Sequence, residues 1–278
     1  MPTFAAPDGT TLAYHLLGAP TADPVVCLPG GPMQASVYLG DLGGLAAHRG
    51  LVMLDLRGTG ESGEAADPAS YRCDRQVGDV EALRARLGLE RMTVLGHSAG
   101  GSLAVRYAAE FPERIARLAL ITPSTRAIGA EMSEAQRRAI LALRKDEPWF
   151  DTVSAAFDLI AAGEATDEDW DAVAPMAYGR WDNVAQAHHA AEATQRNDEA
   201  SRIFNSDGAF DPAATRARLA AVSAPTLILA GELDWATDPA EFTELFPNAR
   251  LVVQSGASHF PWLDDPAAFV DTAAKFLR

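Results

Sequence analysis

Six short apolar runs constrain this chain more than any other feature. They sit in "PVVCLPGGP", "GLVMLDLRGTGES", "RMTVLGHSAGG", "RLALITPS", "APTLILAGELD" and "ARLVVQSGASH". Each holds four to six apolar residues without polar alternation and ends in a turn signal. A strand with one wet face alternates apolar and polar, so these runs predict strands buried on both faces, as in a parallel sheet. Helical patterns lie between them. "DRQVGDVEALRARLGL" sets Val77, Val80, Leu83 and Leu87 on one face, and "SLAVRYAAEFPERI" follows the third run. "DPAEFTELFPN" and "DPAAFVDTAAKFLR" each open with an Asp N-cap and a Pro at the first helical position. Strand and helix in turn predict a doubly wound α/β sheet. Ahead of it, Asp8-Gly9 marks a hairpin between two short N-terminal strands.

The alternation stops between Ser124 and Ala214, where every apolar pattern has helical period. The expected organisation is a core domain from residues 1–123 and 215–278, interrupted by an all-helical cap at 124–214. A chain of 278 residues is long enough for such a domain with its insertion.

Charge narrows the partners. The formal net charge is −15, a surface that repels phosphate backbones and anionic lipid, so neither nucleic acid nor membrane is expected. Cys27 and Cys73 are the two cysteines, too few for a disulfide framework or a metal cluster. The first residues lack a basic stretch followed by an apolar core, and no run of about 18 apolar residues occurs. The expected compartment is therefore the cytoplasm. Oligomeric state is not legible.

"VLGHSAGGSLA" places Gly-x-Ser-x-Gly between a buried run and a helical pattern. Such a turn forces the serine into a strained conformation, and its small neighbours let strand and helix approach closely. Ser98 would then stand above the sheet edge, at a helix N-terminus that favours negative charge. His97 beside it is expected to pack within the turn. A serine hydroxyl needs a base. An acid and then a histidine should follow in sequence, on loops after later strands. Asp234 follows the fifth run, with Glu232 as the alternative acid, and His259 follows the sixth. The loop "ITPSTR" before the insertion holds no carboxylate, His188 and His189 lie mid-helix in the insertion, and His15 and His48 precede the serine. Two amides must hold the oxyanion. Ala99 follows the nucleophile; in "LPGGPM" the prolines have no N–H, which leaves Gly30, Gly31 and Met33, with Gly31 the central candidate.

These segments resemble the α/β-hydrolase superfamily, in particular its capped proline iminopeptidase-like branch. The resemblance rests on "LPGGPM", "LDLRGTGES", "GHSAGGSLA", "GELDWATDP" and "GASHFPWLDDP", in the family's order. It implies the α/β-hydrolase fold: a mostly parallel central sheet with helices on both faces and a helical cap. Pro29, Leu56 and Ala99 stand where proline iminopeptidases carry His, Gln and Trp. Arg57 and Ser62 are expected to brace the loop below the site.

Residues 124–215 hold 17 acidic and eight basic side chains. Glu192 and Glu199 are candidates to receive a substrate ammonium, against the alternative of a solvated helical face. Trp235 and Phe260, beside the acid and the base, are candidate pocket walls. The function expected is hydrolysis of a small carboxylic ester, amide or short peptide through an acyl-enzyme on Ser98, with no metal or organic cofactor needed. Alternatives are release of N-terminal proline, carbon–carbon bond hydrolysis or lyase chemistry, and ligand binding without catalysis.

Overall fold

The computed structural model describes residues 1–278. The chain begins with β1 (Thr3–Ala5), β2 (Thr11–Leu17), β3 (Val25–Leu28) and β4 (Leu51–Leu54). α1 (Cys73–Arg86), β5 (Met92–His97), α2 (Ala99–Glu110) and β6 (Ile115–Ile121) follow. An insertion then carries α3 (Glu134–Ala142), α4 (Phe150–Ala162), α5 (Asp167–Ala172), α6 (Asn183–Gln195) and α7 (Asp198–Phe204). The chain returns through α8 (Pro212–Leu219), β7 (Thr226–Gly231), α9 (Phe242–Leu245), β8 (Ala249–Gln254), α10 (Pro261–Asp264) and α11 (Pro266–Phe276).

The strands form one eight-stranded sheet in the order β1-β2-β4-β3-β5-β6-β7-β8. β2 pairs antiparallel with β1 and β4, and every other pairing is parallel. Successive side chains of a strand face opposite ways. Accordingly Val26, Leu28, Val94, Leu118 and Leu120 join the core under α1 and α2, while Val25, Cys27, Leu95, Ala119 and Ile121 join a second core with Phe269 and Ala273 of α11. Both faces are covered, which is why the strands carry no polar alternation. β8 departs from that expectation. It has a neighbour on one side only, and Val253 is exposed.

The stretch "DPAEFTELFPN" forms a 3₁₀ turn at Pro239–Glu241 and then the single turn α9. Phe246 is extended because Pro247 follows it. Between Ser124 and Asp211 all regular structure is helical, apart from one bridge, Gln34 to Arg196. α8 starts at Pro212 and packs on α2, so residues 212–214, expected with the cap, lie in a helix of the core layer. No helix is long and apolar enough to cross a membrane.

Candidate active site

Ser98 joins β5 directly to α2 with φ 51° and ψ −120°, a conformation that costs a non-glycine residue on the order of 1–3 kcal/mol. The surroundings hold it there. Its amide donates to Ile121 O at 3.1 Å, and its carbonyl accepts from the Gly101 and Ser124 amides, each at 2.9 Å. Small residues are obligatory at this crossing. A Cβ on Gly100 would overlap the Leu28 carbonyl, and one on Gly30 would lie 2.8 Å from Ser98 Cβ.

His259 follows β8 on the adjoining rim. Its Nε2 lies 2.9 Å from Ser98 Oγ and its Nδ1 lies 3.1 Å from Asp234 Oδ2. Asp234, just beyond β7, is buried; it also accepts from the Ala236 amide at 2.9 Å and Thr237 Oγ1 at 3.1 Å. A carboxylate so placed accepts the Nδ1 proton, which leaves Nε2 as the acceptor for the serine hydroxyl. The backbone of His259 is fixed as well. Its amide donates to Ala177 O at 3.0 Å, and its carbonyl accepts from Thr122 Oγ1 and His97 Nε2, both at 2.9 Å. Glu232 turns the other way and accepts from Ser255 Oγ at 2.7 Å and the Gly256 amide at 2.8 Å.

The Gly31 amide has no acceptor within the chain, and Ala99 opens α2, where the first amides of a helix have no intrahelical partner. The Gly30 amide is committed to Tyr38 Oη at 2.7 Å, and Met33 is fully buried. Gly31 lines the same cavity as Ser98 and His259. The cavity measures about 830 Å³. Its walls include Trp235 and Phe260 from the loops after β7 and β8, and Tyr178, Asp167, Asp171, Glu192 and Asp198 with Arg196 from the insertion. Glu192 is not free there, because it forms an ion pair with Arg196, whose Nε lies 2.9 Å from Asp198. Glu199 is outside the cavity. It is exposed in the first turn of α7, and its neighbour Asp198, also exposed, is the one that lines the cavity. No group of three His, Cys, Asp or Glu side chains is placed to hold a metal ion.

Sequence reasoning overlooked Tyr38, Thr122 and Asp264. Asp264, within α10, accepts from the Ser258 amide at 2.7 Å and the Gly179 amide at 2.8 Å, joining the His259 loop to the insertion. Each of the three meets a partner distant in sequence, Tyr38 at His97, Thr122 at His259 and Asp264 at Gly179. His97 sits fully enclosed, and burial with His259 beside it holds its basicity well below the ordinary histidine value. His188 is likewise depressed by burial. Arg57 is buried against Asp79 with bonds of 2.6 and 2.8 Å, and Ser62 Oγ donates to Asp55 O at 2.6 Å; both brace the loop after β4.

Comparison with known proteins agrees with this architecture. A proline iminopeptidase of Heyndrickxia coagulans is 24% identical over 268 residues, covering 92% of this chain and 90% of that protein. The crystal structure of a proline iminopeptidase from Mycobacterium smegmatis matches with a TM-score of 0.73 at 25% identity, covering 99% of this chain and 97% of that one. An esterase from Exiguobacterium antarcticum also gives a TM-score of 0.73, at 19% identity over 99% and 98% of the two chains, a likeness of fold alone. The model of the alpha/beta hydrolase fold matches residues 23–266. With that match spanning both halves of the sheet and the insertion between them, the chain belongs to the α/β-hydrolase fold family.

Proposed function

We propose that the protein is a serine hydrolase that cleaves a small carboxylic ester or amide through an acyl-enzyme on Ser98. The observation that carries this reading is the His259 ring, bonded to Ser98 Oγ at 2.9 Å and to Asp234 at 3.1 Å at the edge of the cavity. Ser98 Oγ attacks the carbonyl carbon while His259 Nε2 takes its proton. The imidazolium so formed lies against the Asp234 carboxylate. The carbonyl oxygen becomes an oxyanion held by the Ala99 amide, next to the nucleophile, and the Gly31 amide, which has no acceptor of its own. The intermediate collapses, and His259 returns the proton to the departing alkoxide or amine. Water, deprotonated by the same ring, then attacks the acyl-enzyme, and the acid leaves as His259 passes that proton to Ser98 Oγ. A fluorophosphonate should label Ser98, and Ser98→Ala should abolish both labelling and turnover of p-nitrophenyl acetate. A folded wild-type protein that takes no label overturns the reading.

A second reading, release of an N-terminal proline, is favoured by one feature: four carboxylates and a single arginine line the insertion side of the cavity. There the substrate ammonium would compete with Arg196 for Glu192. Hydrolysis of prolyl arylamide but not of N-acetylprolyl arylamide supports it, and indifference to the free amine rejects it.

A further inference from the structure

Behind the catalytic groups lies a second line of hydrogen bonds that the mechanism does not use. The Gly30 amide donates to Tyr38 Oη at 2.7 Å, Tyr38 Oη meets His97 Nδ1 at 2.6 Å, and His97 Nε2 meets the His259 carbonyl at 2.9 Å. Tyr38 and His97 are both buried.

The chemistry of the end groups fixes every proton on this line. A carbonyl oxygen only accepts, so His97 Nε2 carries a hydrogen. In a neutral ring Nδ1 is then a bare lone pair. Tyr38 must donate to it, which leaves the phenol oxygen free to accept from Gly30. The line is therefore complete only with a neutral His97 in the Nε2–H tautomer. A proton added at Nδ1 would face a phenol oxygen that already accepts from Gly30, and the phenol's own hydrogen would lose its acceptor.

The surroundings favour the neutral form. The rings packed on His97 are His259 at 5.0 Å, Phe260 at 5.4 Å, Tyr38 at 5.6 Å and Trp262 at 4.8 Å. The titratable groups facing it are Tyr38 and His259, with His188 of α6 beyond, and no carboxylate bonds to it. Burial and these histidines push its basicity down.

We propose that Tyr38 and His97 are positioning residues that tie the loop bearing the Gly31 amide to the backbone of His259, so that the oxyanion donors and the base share one fixed reference. This rests on the serine-hydrolase reading. The two arms arrive from opposite ends of the chain, one after β3 and one after β8. They must meet the same tetrahedral carbon, with donors about 2.7–3.1 Å from its oxygen. The His97 side chain, coming from the elbow itself, spans the gap between them.

Tyr38→Phe tests the proposal, since it deletes one oxygen and keeps the ring. With p-nitrophenyl acetate, kcat should fall about tenfold with KM changed less than about twofold, because a shifted donor is felt in the transition state and not in ground-state binding. Fluorophosphonate labelling of Ser98 should slow by a similar factor. A folded variant with wild-type kcat and labelling rate, or one altered in KM alone, overturns the relay. Nitrogen NMR of wild-type His97 supplies a second readout should the variant fail to fold. The relay requires a protonated Nε2 and a bare Nδ1 from pH 6 to 8, and a proton on Nδ1 in that range rejects it. Failure of the wild-type protein to label at all would instead overturn the hydrolase reading.

Discussion

The amide of Asn197 donates to the carbonyl of Met33 at 3.0 Å, and through that bond the helical insertion closes on the loop that carries Gly31. The Ala35 amide bonds Gln195 O at 2.9 Å beside it, completing a short antiparallel bridge. The insertion thus braces the proposed oxyanion loop as well as walling the cavity. Asn197 also caps α7 by accepting from the Ala200 amide at 3.0 Å, and it donates to Gly58 O at 2.9 Å. Asn197→Ala should cost about 1 kcal/mol for the cap and a further ~1 kcal/mol for the lost side-chain bond. Urea denaturation measures the loss. Unchanged stability would contradict the assigned cap and the bond to Gly58.

Gly30→Ala should damage catalysis more than stability. The new methyl would stand 2.8 Å from both Ser98 Cβ and His97 O, forcing the loop and the elbow apart. A displacement of about 1 Å at reacting groups costs on the order of a hundredfold in rate. Steady-state kinetics on p-nitrophenyl acetate, with circular dichroism to confirm folding, reads the effect.

Asp234→Asn should preserve the geometry and lose about 10⁴-fold in kcat. An amide can present its N–H to His259 Nδ1, which moves the ring proton to Nε2 and removes the acceptor for the serine hydroxyl. Glu232→Gln is the control. Its carboxylate binds Ser255 and Gly256 and does not reach His259, so turnover should stay close to wild type.

Stability should fall as the solution is acidified below about pH 6.5. Burial depresses both His97 and His188 in the folded protein, so the unfolded chain takes up protons first as pH drops. Their contribution is complete above the ordinary histidine value and is lost as pH falls toward the folded values. For His97, held well below the ordinary value, the slope approaches about 1.4 kcal/mol per pH unit, and His188 adds a smaller part. Urea midpoints at pH 7.5, 6.5 and 5.5 measure it. His188→Gln should flatten the slope whatever it does to the level.

Ser98, Asp234 and His259 were legible as candidates because each lies in a loop after an apolar run that forms a strand of the sheet, and a strand's end limits where its next residues can go. For the second oxyanion amide the sequence narrowed the choice to Gly30, Gly31 and Met33, since the prolines among them have no N–H, and only the structure shows the Gly30 amide committed to Tyr38. The place of Glu199 was not legible. Charge counting along the insertion says how many carboxylates it holds but not which helical face they occupy, and one step along α7 separates Asp198 at the cavity from Glu199 in solvent. β8 misled for a related reason, because an apolar run reveals burial propensity and not whether a second neighbour exists.

What the sequence determined by itself was periodicity and local turn chemistry: the parallel sheet, the tight turn at the serine, and the helical insertion. All of these depend on residues within a few positions of one another. The tertiary structure alone decided which distant groups meet. Tyr38 against His97, Thr122 against the His259 carbonyl, and Asn197 against Met33 are pairings across the packed layers. They depend on how the sheet twists and the insertion docks, and the pattern of apolar residues along a single chain carries no record of that.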